Sequence, residues 1–289
     1  MIILCADDYA LTEGVSRAIG ELAAARRLSA TSALVTTAHW PATVPRLRAH
    51  RRHLAIGLHL NLTLGAPLGT MRRLAPSGQF PPRSALMAWS LLGLLSRREI
   101  AEEINRQLDR FEQGFGHPPD HIDGHEHVHV LPGIRTALLD AVARRYASAK
   151  PLVRDPSDRF GAIAARGVAP AKAALVSLLA SGFAAAARQR DIPVNDGFSG
   201  FSSFSTSVPY AQELAKAFNS PAPRHIIMCH PGHPDAELAA IDAVVARRRM
   251  EYDALMHDVS LPERIWRPAR ETDTAPLQWP QTGTGINGR

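Results

Sequence analysis

Short apolar runs alternate with amphipathic stretches along most of this chain. Residues 2–6 form an apolar run, and Thr12 then caps a stretch whose apolar stripe, Val15, Ala18, Ile19, Leu22 and Ala23, recurs at helical spacing. Glu13 in its first turn suits the positive end of the helix dipole. A second strand is expected near 32–36 before a helix near 42–49, and a third strand over 54–60. Ile104, Leu108 and Phe111 mark a helix over 100–115, followed by a fourth strand over 121–123 and a helix near 133–146. A fifth strand over 152–154 precedes a long Ala-rich helix over 170–188. The sixth is placed over 192–195 despite Pro193, and the seventh, over 226–229, leads into a helix over 236–256. Strand–helix units of about 30 residues predict a parallel sheet with helical crossovers. Seven of them make an α/β fold, a distorted and incomplete (β/α) barrel.

Polar, chemically capable residues stand just beyond these strands: Asp7-Asp8, His59, His125, Arg154, Asn195-Asp196 and His230. In a barrel they share the C-terminal rim, where loops build active sites. The connection over 64–98 lies on the same rim and is far longer than usual, so it is expected to cover or shape the pocket. Its prolines, Pro67, Pro76, Pro81 and Pro82, disfavour regular structure. No linker or composition shift divides residues 1–268, which predicts one catalytic domain. Residues 269–289 are rich in Thr, Pro and Gly without periodicity and read as a loosely held tail.

Adjacent carboxylates such as Asp7 and Asp8 repel unless a cation or a proton separates them. One suits a metal and the other proton transfer; the bland alternative is a turn or a helix cap, for which Thr12 is better placed. His59, taken alone, is more often the mark of a core histidine hydrogen-bonded to backbone than of a ligand. His125, His127 and His129 alternate in His-Ile-Asp-Gly-His-Glu-His-Val-His, and three imidazoles so spaced beside carboxylates point to metal binding or catalysis. Asp123 is placed to accept from a ligating imidazole or to act as a catalytic partner. His230 follows the last strand inside a Pro-Gly turn. Arg154 suits a substrate anion or the orientation of a carboxylate. With Asp123 and His127 it makes up the expected substrate contacts. The stretch 198–205, Phe-Ser-Gly-Phe-Ser-Ser-Phe-Ser, lines a pocket or forms a surface loop.

With 289 residues, 45% of them hydrophobic, the chain has ample core. Cys5 and Cys229 lie in apolar runs without a CxxC spacing, against a disulfide framework and in keeping with a reducing cytoplasm. The N-terminus starts directly on Ile2-Ile3-Leu4 and lacks the features of a signal peptide, so a cytoplasmic location is expected. The apolar stretches 85–95 and 173–187 are shorter than a bilayer span, which predicts no transmembrane segment and leaves a weak membrane-surface contact open. The net charge of +6 comes mostly from scattered arginines such as Arg17, Arg26, Arg27, Arg46, Arg48, Arg247, Arg248 and Arg249. No aromatics interleave with them, so solvated faces or an anionic substrate explain them better than nucleic acid. A homodimer is neither required nor excluded.

Taken in order, Ala6-Asp7-Asp8-Tyr9, Gly57-Leu58-His59-Leu60, the run from His121 to His129 and Cys229-His230-Pro231-Gly232 resemble the motifs of the YdjC-like carbohydrate deacetylases. That family includes chitooligosaccharide deacetylases and members associated with hopanoid biosynthesis, and the resemblance spans about residues 1–265. It implies a barrel akin to polysaccharide deacetylases and one divalent metal, Mg or Zn with Mn or Co also admissible, on Asp8, His59 and His125. It further implies Asp7 as general base, His230 as general acid, and an N-acetylated amino sugar, chitooligosaccharide or glycolipid as substrate. Ala10 stands where many members have Gly, and Gly124 and Glu126 also depart from the common pattern. If position 10 needs positive φ, Ala costs about 1 kcal/mol there. Three rivals remain. A phosphoesterase would need a second ion, from His127, His129 and His233, about 3.5–4 Å from the first. An iron oxygenase would use two His and one carboxylate. The third is a non-catalytic carbohydrate-binding barrel.

Overall fold

The computed structural model describes residues 1–279 other than 148, 243, 273, 274 and 276. Its strands are β1 (Ile2–Tyr9), β2 (Ala30–Ala33), β3 (Ala55–Leu60), β4 (His121–Gly124), β5 (Leu152–Val153), β6 (Gly197–Ser199) and β7 (His225–Cys229). All pair in parallel, in the order β5-β4-β3-β2-β1-β7-β6. The helices are α1 (Glu13–Ala24), α2 (Trp40–Arg48), α3 (Arg83–Leu91), α4 (Arg97–Phe115), α5 (Ile134–Arg145) and α6 (Phe160–Arg166). They continue with α7 (Pro170–Leu179), α8 (Phe183–Arg188), α9 (Tyr210–Ala217), α10 (Ala236–Ile241), α11 (Val245–His257) and α12 (Leu261–Arg264).

Period-two alternation sorts the strand residues into two cores. Leu4, Ala6, Ile56, Leu58, Ile122, Val153 and Ile227 face the helices in the larger core. Ile3, Cys5, Ala30, Ala55, Leu152, Phe198, Ile226 and Met228 face inward and fill a smaller one. An enclosed second face is what a curled sheet produces, and the fold is a distorted, incomplete barrel of seven strands.

Several elements differ from expectation. The sixth strand lies at Gly197–Ser199, not 192–195: Pro193 has no N–H to give, and that stretch contributes the Pro193 carbonyl to Val153 N (2.9 Å) across the seam between β5 and β6. The second strand starts earlier, at Ala30. The expected long helix over 170–188 breaks into α7 and α8 at Gly182, whose φ of +76° is left-handed. The helix over 236–256 is likewise two, α10 and α11. Within the long connection, α3 forms because Pro82 sits at its N-cap, where no backbone hydrogen bond is lost.

The start of the C-terminal segment is anchored rather than loose. Trp266 N donates to Ile2 O (2.7 Å), Ser29 Oγ to Trp266 O (2.5 Å) and Trp279 Nε1 to Asp120 O (3.1 Å). Arg270 is buried and pairs with Asp120. Trp266 and Trp279 pack with centroids 5.1 Å apart and rings tilted by 36° against the inner core, so these residues plug the barrel at the N-terminal ends of its strands. Composition hid this because a few residues, two tryptophans and one arginine among them, carry the attachment.

Candidate active site

The inward parity that places Cys5 also directs Asp7, Ser32, His59, His121, Asp123, Arg154 and His230 toward the barrel interior. Strict alternation would send Asp8 to the helix layer. Instead β1 shifts register against β2 between Ala6 and Tyr9, and Asp8 takes a left-handed φ of +71°, turning its carboxylate back to the site. Ala10 follows at φ +69°, so the condition attached to this position holds and Ala is strained there. After β4 a tight turn over His125–Val130 carries Glu126 and His127 at φ +53° and +60° and swings His125 back beside β1.

His125 Nδ1 lies 2.9 Å and His59 Nε2 3.2 Å from Asp8 Oδ1. One donor atom from each of Asp8, His59 and His125 falls within 4.8 Å of the others, a spread able to share one ion. His59 Nδ1 donates to Asp123 Oδ1 at 2.6 Å, which leaves Nε2 facing Asp8 and His125. Such a carboxylate–imidazole pair fixes a ligating histidine's tautomer. Two other groups, Asp7 with His59 and Asp123, and Cys5 with His121 and Asp123, are equally compact. Both are disfavoured by Arg154, whose guanidinium donates to Asp7 Oδ2 (2.7 Å), Asp7 Oδ1 (2.6 Å) and Cys5 Sγ (3.3 Å) and pairs with Asp123. A cation already occupies them. Among the described residues no group able to share an ion includes His127, His129 or His233. His129 contacts the Arg154 carbonyl through Nε2 (2.8 Å), and His233 pairs with Glu21.

Burial works against the charge on Asp8, but Arg248 (Nη2 to Oδ2, 2.7 Å) and His125 outweigh it and hold the carboxyl well below its usual range. His59 is opposed by burial and carried up to about 10 by Asp123 and Asp8. For His230 burial wins: its pKa falls to about 4, and its Nδ1 has no hydrogen-bond partner. Burial also drives His127 well down and lifts the Cys5 thiol well up, so no thiolate is available there.

Asp7, Asp8, His59, His125, His127 and His230 line a single cleft. Arg154 and Asp123 do not; both are 0% exposed and stand behind Asp7 and His59, so the expected substrate contact is corrected to a position beneath the cleft floor. An Arg held by two carboxylates has no donor fork left for a substrate. The stretch 198–205 divides: Phe198 and Phe201 pack on His127, while Phe204 lines the cleft under Lys172 Nζ, 4.1 Å from the ring centroid. Arg247 and Arg248, read as solvent charges, are buried; Arg247 pairs with Glu213, and Arg248 bridges Asp8 and Asp242. Glu251, whose Oε2 accepts from His230 N (2.5 Å), also escaped sequence reading. The only signal was weak: three consecutive arginines spread over about 200° of the helix circumference, so those at the edge of the arc approach the packed face.

The model of the YdjC-like protein family matches residues 1–261. The chain belongs to that family. This YdjC-like chain is 29% identical over 249 residues to a carbohydrate deacetylase of Mus musculus, a stretch covering 81% of the chain and 78% of the mouse protein. It is 30% identical over 242 residues to a chitooligosaccharide deacetylase of Serratia marcescens, covering 82% and 84%. A crystal structure from Enterococcus faecalis V583, provisionally described as of a cellobiose-phosphate cleavage protein, superposes with a TM-score of 0.69 at 24% identity, over 91% of this chain and 92% of that one. That likeness is one of fold.

Proposed function

We propose that this chain is a metal-dependent carbohydrate N-deacetylase, which removes an N-acetyl group from an amino sugar, a chitooligosaccharide or a related glycolipid. The observation that carries it is the convergence of one carboxylate and two imidazoles beside a second carboxylate, Asp7, on one cleft floor, in a family whose relatives are named deacetylases. The donor set fits a divalent ion such as Zn or Mg: His59 is fixed by Asp123 to offer Nε2, and Arg248 on Oδ2 leaves Asp8 Oδ1 to face both imidazoles. A bound ion would supply Lewis acidity, lowering the pKa of water and polarising the amide carbonyl.

Asp7 takes the proton of the attacking water, held at both oxygens by Arg154 so that its orientation does not depend on substrate. His230 sits across the cleft as the acid for the departing amine. Burial leaves it neutral in the free protein, so its acid role requires that it take a proton from solvent as negative charge develops beside it and pass that proton to the amine, while Asp7 returns the water's proton to solvent afterwards. His127, backed by Phe198 and Phe201, presents a neutral imidazole to substrate. The cleft, at about 260 Å³, is near the lower end of the roughly 300–1,000 Å³ of small-molecule sites, so one sugar-sized unit enters and a longer chain lies across the mouth.

The test combines metal analysis of the purified protein with acetate release from a panel of N-acetylated sugars. Asp7→Asn keeps its metal and loses on the order of 10²–10⁴-fold in turnover, whereas His125→Ala loses the metal. Near-normal rates from Asp7→Asn would remove the base from the mechanism, and full activity after chelation would remove the ion.

A further inference from the structure

Two segments beside the cleft mouth share an unusual composition. Residues 64–98 contain Arg72, Arg73, Arg83, Arg97 and Arg98, and residues 159–190 contain Arg159, Arg166, Lys172, Arg188 and Arg190; neither holds a single Asp or Glu. Their ten cations exceed the chain's whole net charge of +6, so the remainder of the chain is net acidic. The same two segments expose large apolar side chains: Leu91, Leu92 and Leu94 are 58%, 71% and 65% exposed, and Leu175 and Leu178 are 53% and 66% exposed.

The fold brings these features together. Arg83 at the start of α3 and Lys172 at the start of α7 both line the cleft. At their far ends both helices reach the beginning of α5. Ser90 Oγ donates to Pro132 O (2.7 Å), Leu95 lies 3.9 Å from where a Cβ on Gly133 would stand, and Arg135 Nη1 donates to Ser181 O (2.8 Å). So α3 and α7 flank one stretch of surface that runs outward from the mouth. The stretch Pro170–Arg188 is apolar enough to cross a membrane, with a mean hydropathy of 1.4, yet only 22% of that window is buried in the protein, unlike a core helix. Broken at Gly182, it cannot span a bilayer as one helix.

We propose that the outer faces of α3 and α7 dock this protein on an anionic lipid bilayer, with the leucines entering the interface and the arginines meeting lipid phosphates. Four of the ten cations are met by carboxylates, in the pairs Arg83–Glu126, Arg98–Glu102, Arg166–Asp158 and Arg190–Asp140. But Arg72, Arg73, Arg97, Arg159 and Arg188 are exposed, and exposed leucines beside such cations have the chemistry of an interfacial anchor. A second copy of this chain fits less well, because it would bring the same exposed arginines, Arg72, Arg73 and Arg97 among them, against themselves.

Flotation of the full chain with vesicles of phosphatidylcholine alone, or of phosphatidylcholine mixed with phosphatidylglycerol, tests this without reading turnover. It therefore stands or falls apart from the deacetylase assignment. The wild type is expected to float with the anionic vesicles and to be released by salt. Leu92→Asp combined with Leu178→Asp, both at exposed positions, lowers the bound fraction at least about tenfold. Arg97→Gln with Arg98→Gln, which spares the leucines, weakens binding to the anionic vesicles about tenfold and leaves phosphatidylcholine binding unchanged. Absence of wild-type flotation overturns the proposal, as does undiminished binding by either double variant. So does a dimer in sedimentation equilibrium that the leucine variant converts to monomer, since a second copy would then be the occupant.

Discussion

Asp123 links the two halves of the site. It accepts from His59 Nδ1 and pairs with Arg154, which in turn clamps Asp7, so one buried carboxylate aligns both a candidate ligand and the candidate base. Burial opposes its ionisation, yet Arg154 and His59 hold its carboxyl far below the usual range. Asp123→Asn keeps the shape and removes the charge: metal affinity in a chelator competition is expected to fall about 10–100-fold, and turnover with it. A merely structural role would lower the melting temperature and leave affinity unchanged. Gly57 serves the same assembly. A Cβ there would sit 2.4 Å from the His121 ring, which lies between Cys5 and Asp123 on the barrel floor.

Among the elements, strand ends were the legible part. A parallel strand buried on both faces is a short apolar run, and the polar residue that stops it sits at the rim, so Asp7, Asp8, His59, His125 and His230 could be read without coordinates. Segments held by single contacts were not legible. The seam at 192–195 is fastened by isolated bonds, Ile192 N to Ala187 O, Val153 N to Pro193 O and Arg224 Nη1 to Val194 O, and by Asn195, whose amide bridges Asp155 and Gly197. The buried arginines of α11 depend on Asp8, Asp242 and Glu213, partners that periodicity cannot supply. Just past β6, Gly200 at φ +96° lets the chain pass Met228, whose carbonyl oxygen would lie 2.1 Å from a Cβ. Gly200→Ala therefore combines backbone strain with a clash against backbone. We expect a loss of at least about 2 kcal/mol in urea unfolding, with Phe204 displaced from the cleft.

Across the whole molecule, charge inside the barrel makes stability depend on pH. Burial raises Glu251 to about 7 in the folded state, against roughly 4.3 in an unfolded chain. Between those values the native protein binds more protons than the unfolded one, so this group's contribution is complete below about 4.3 and is lost as pH rises through 7. Glu251→Gln, whose carbonyl can still accept from His230 N, should flatten the fall in melting temperature over that window; an unaltered slope would mean that Glu251 is ionised when folded. The barrel is also sharply divided along its axis. Below the carboxylates, Cys5, His121, Asp123 and Arg154 leave no solvent-facing atom to vary, and Trp266 and Trp279 seal the bottom. Above them, the parts that reach the cleft include the connection bearing Arg83, the Lys172 turn, the Phe204 loop and Asp242. A library confined to the first three of these would explore cleft preference while leaving Asp7, Asp8, His59 and His125 and the Arg248–Asp242 support of Asp8 unaltered, whereas one directed at the lower half would mostly yield unfolded protein.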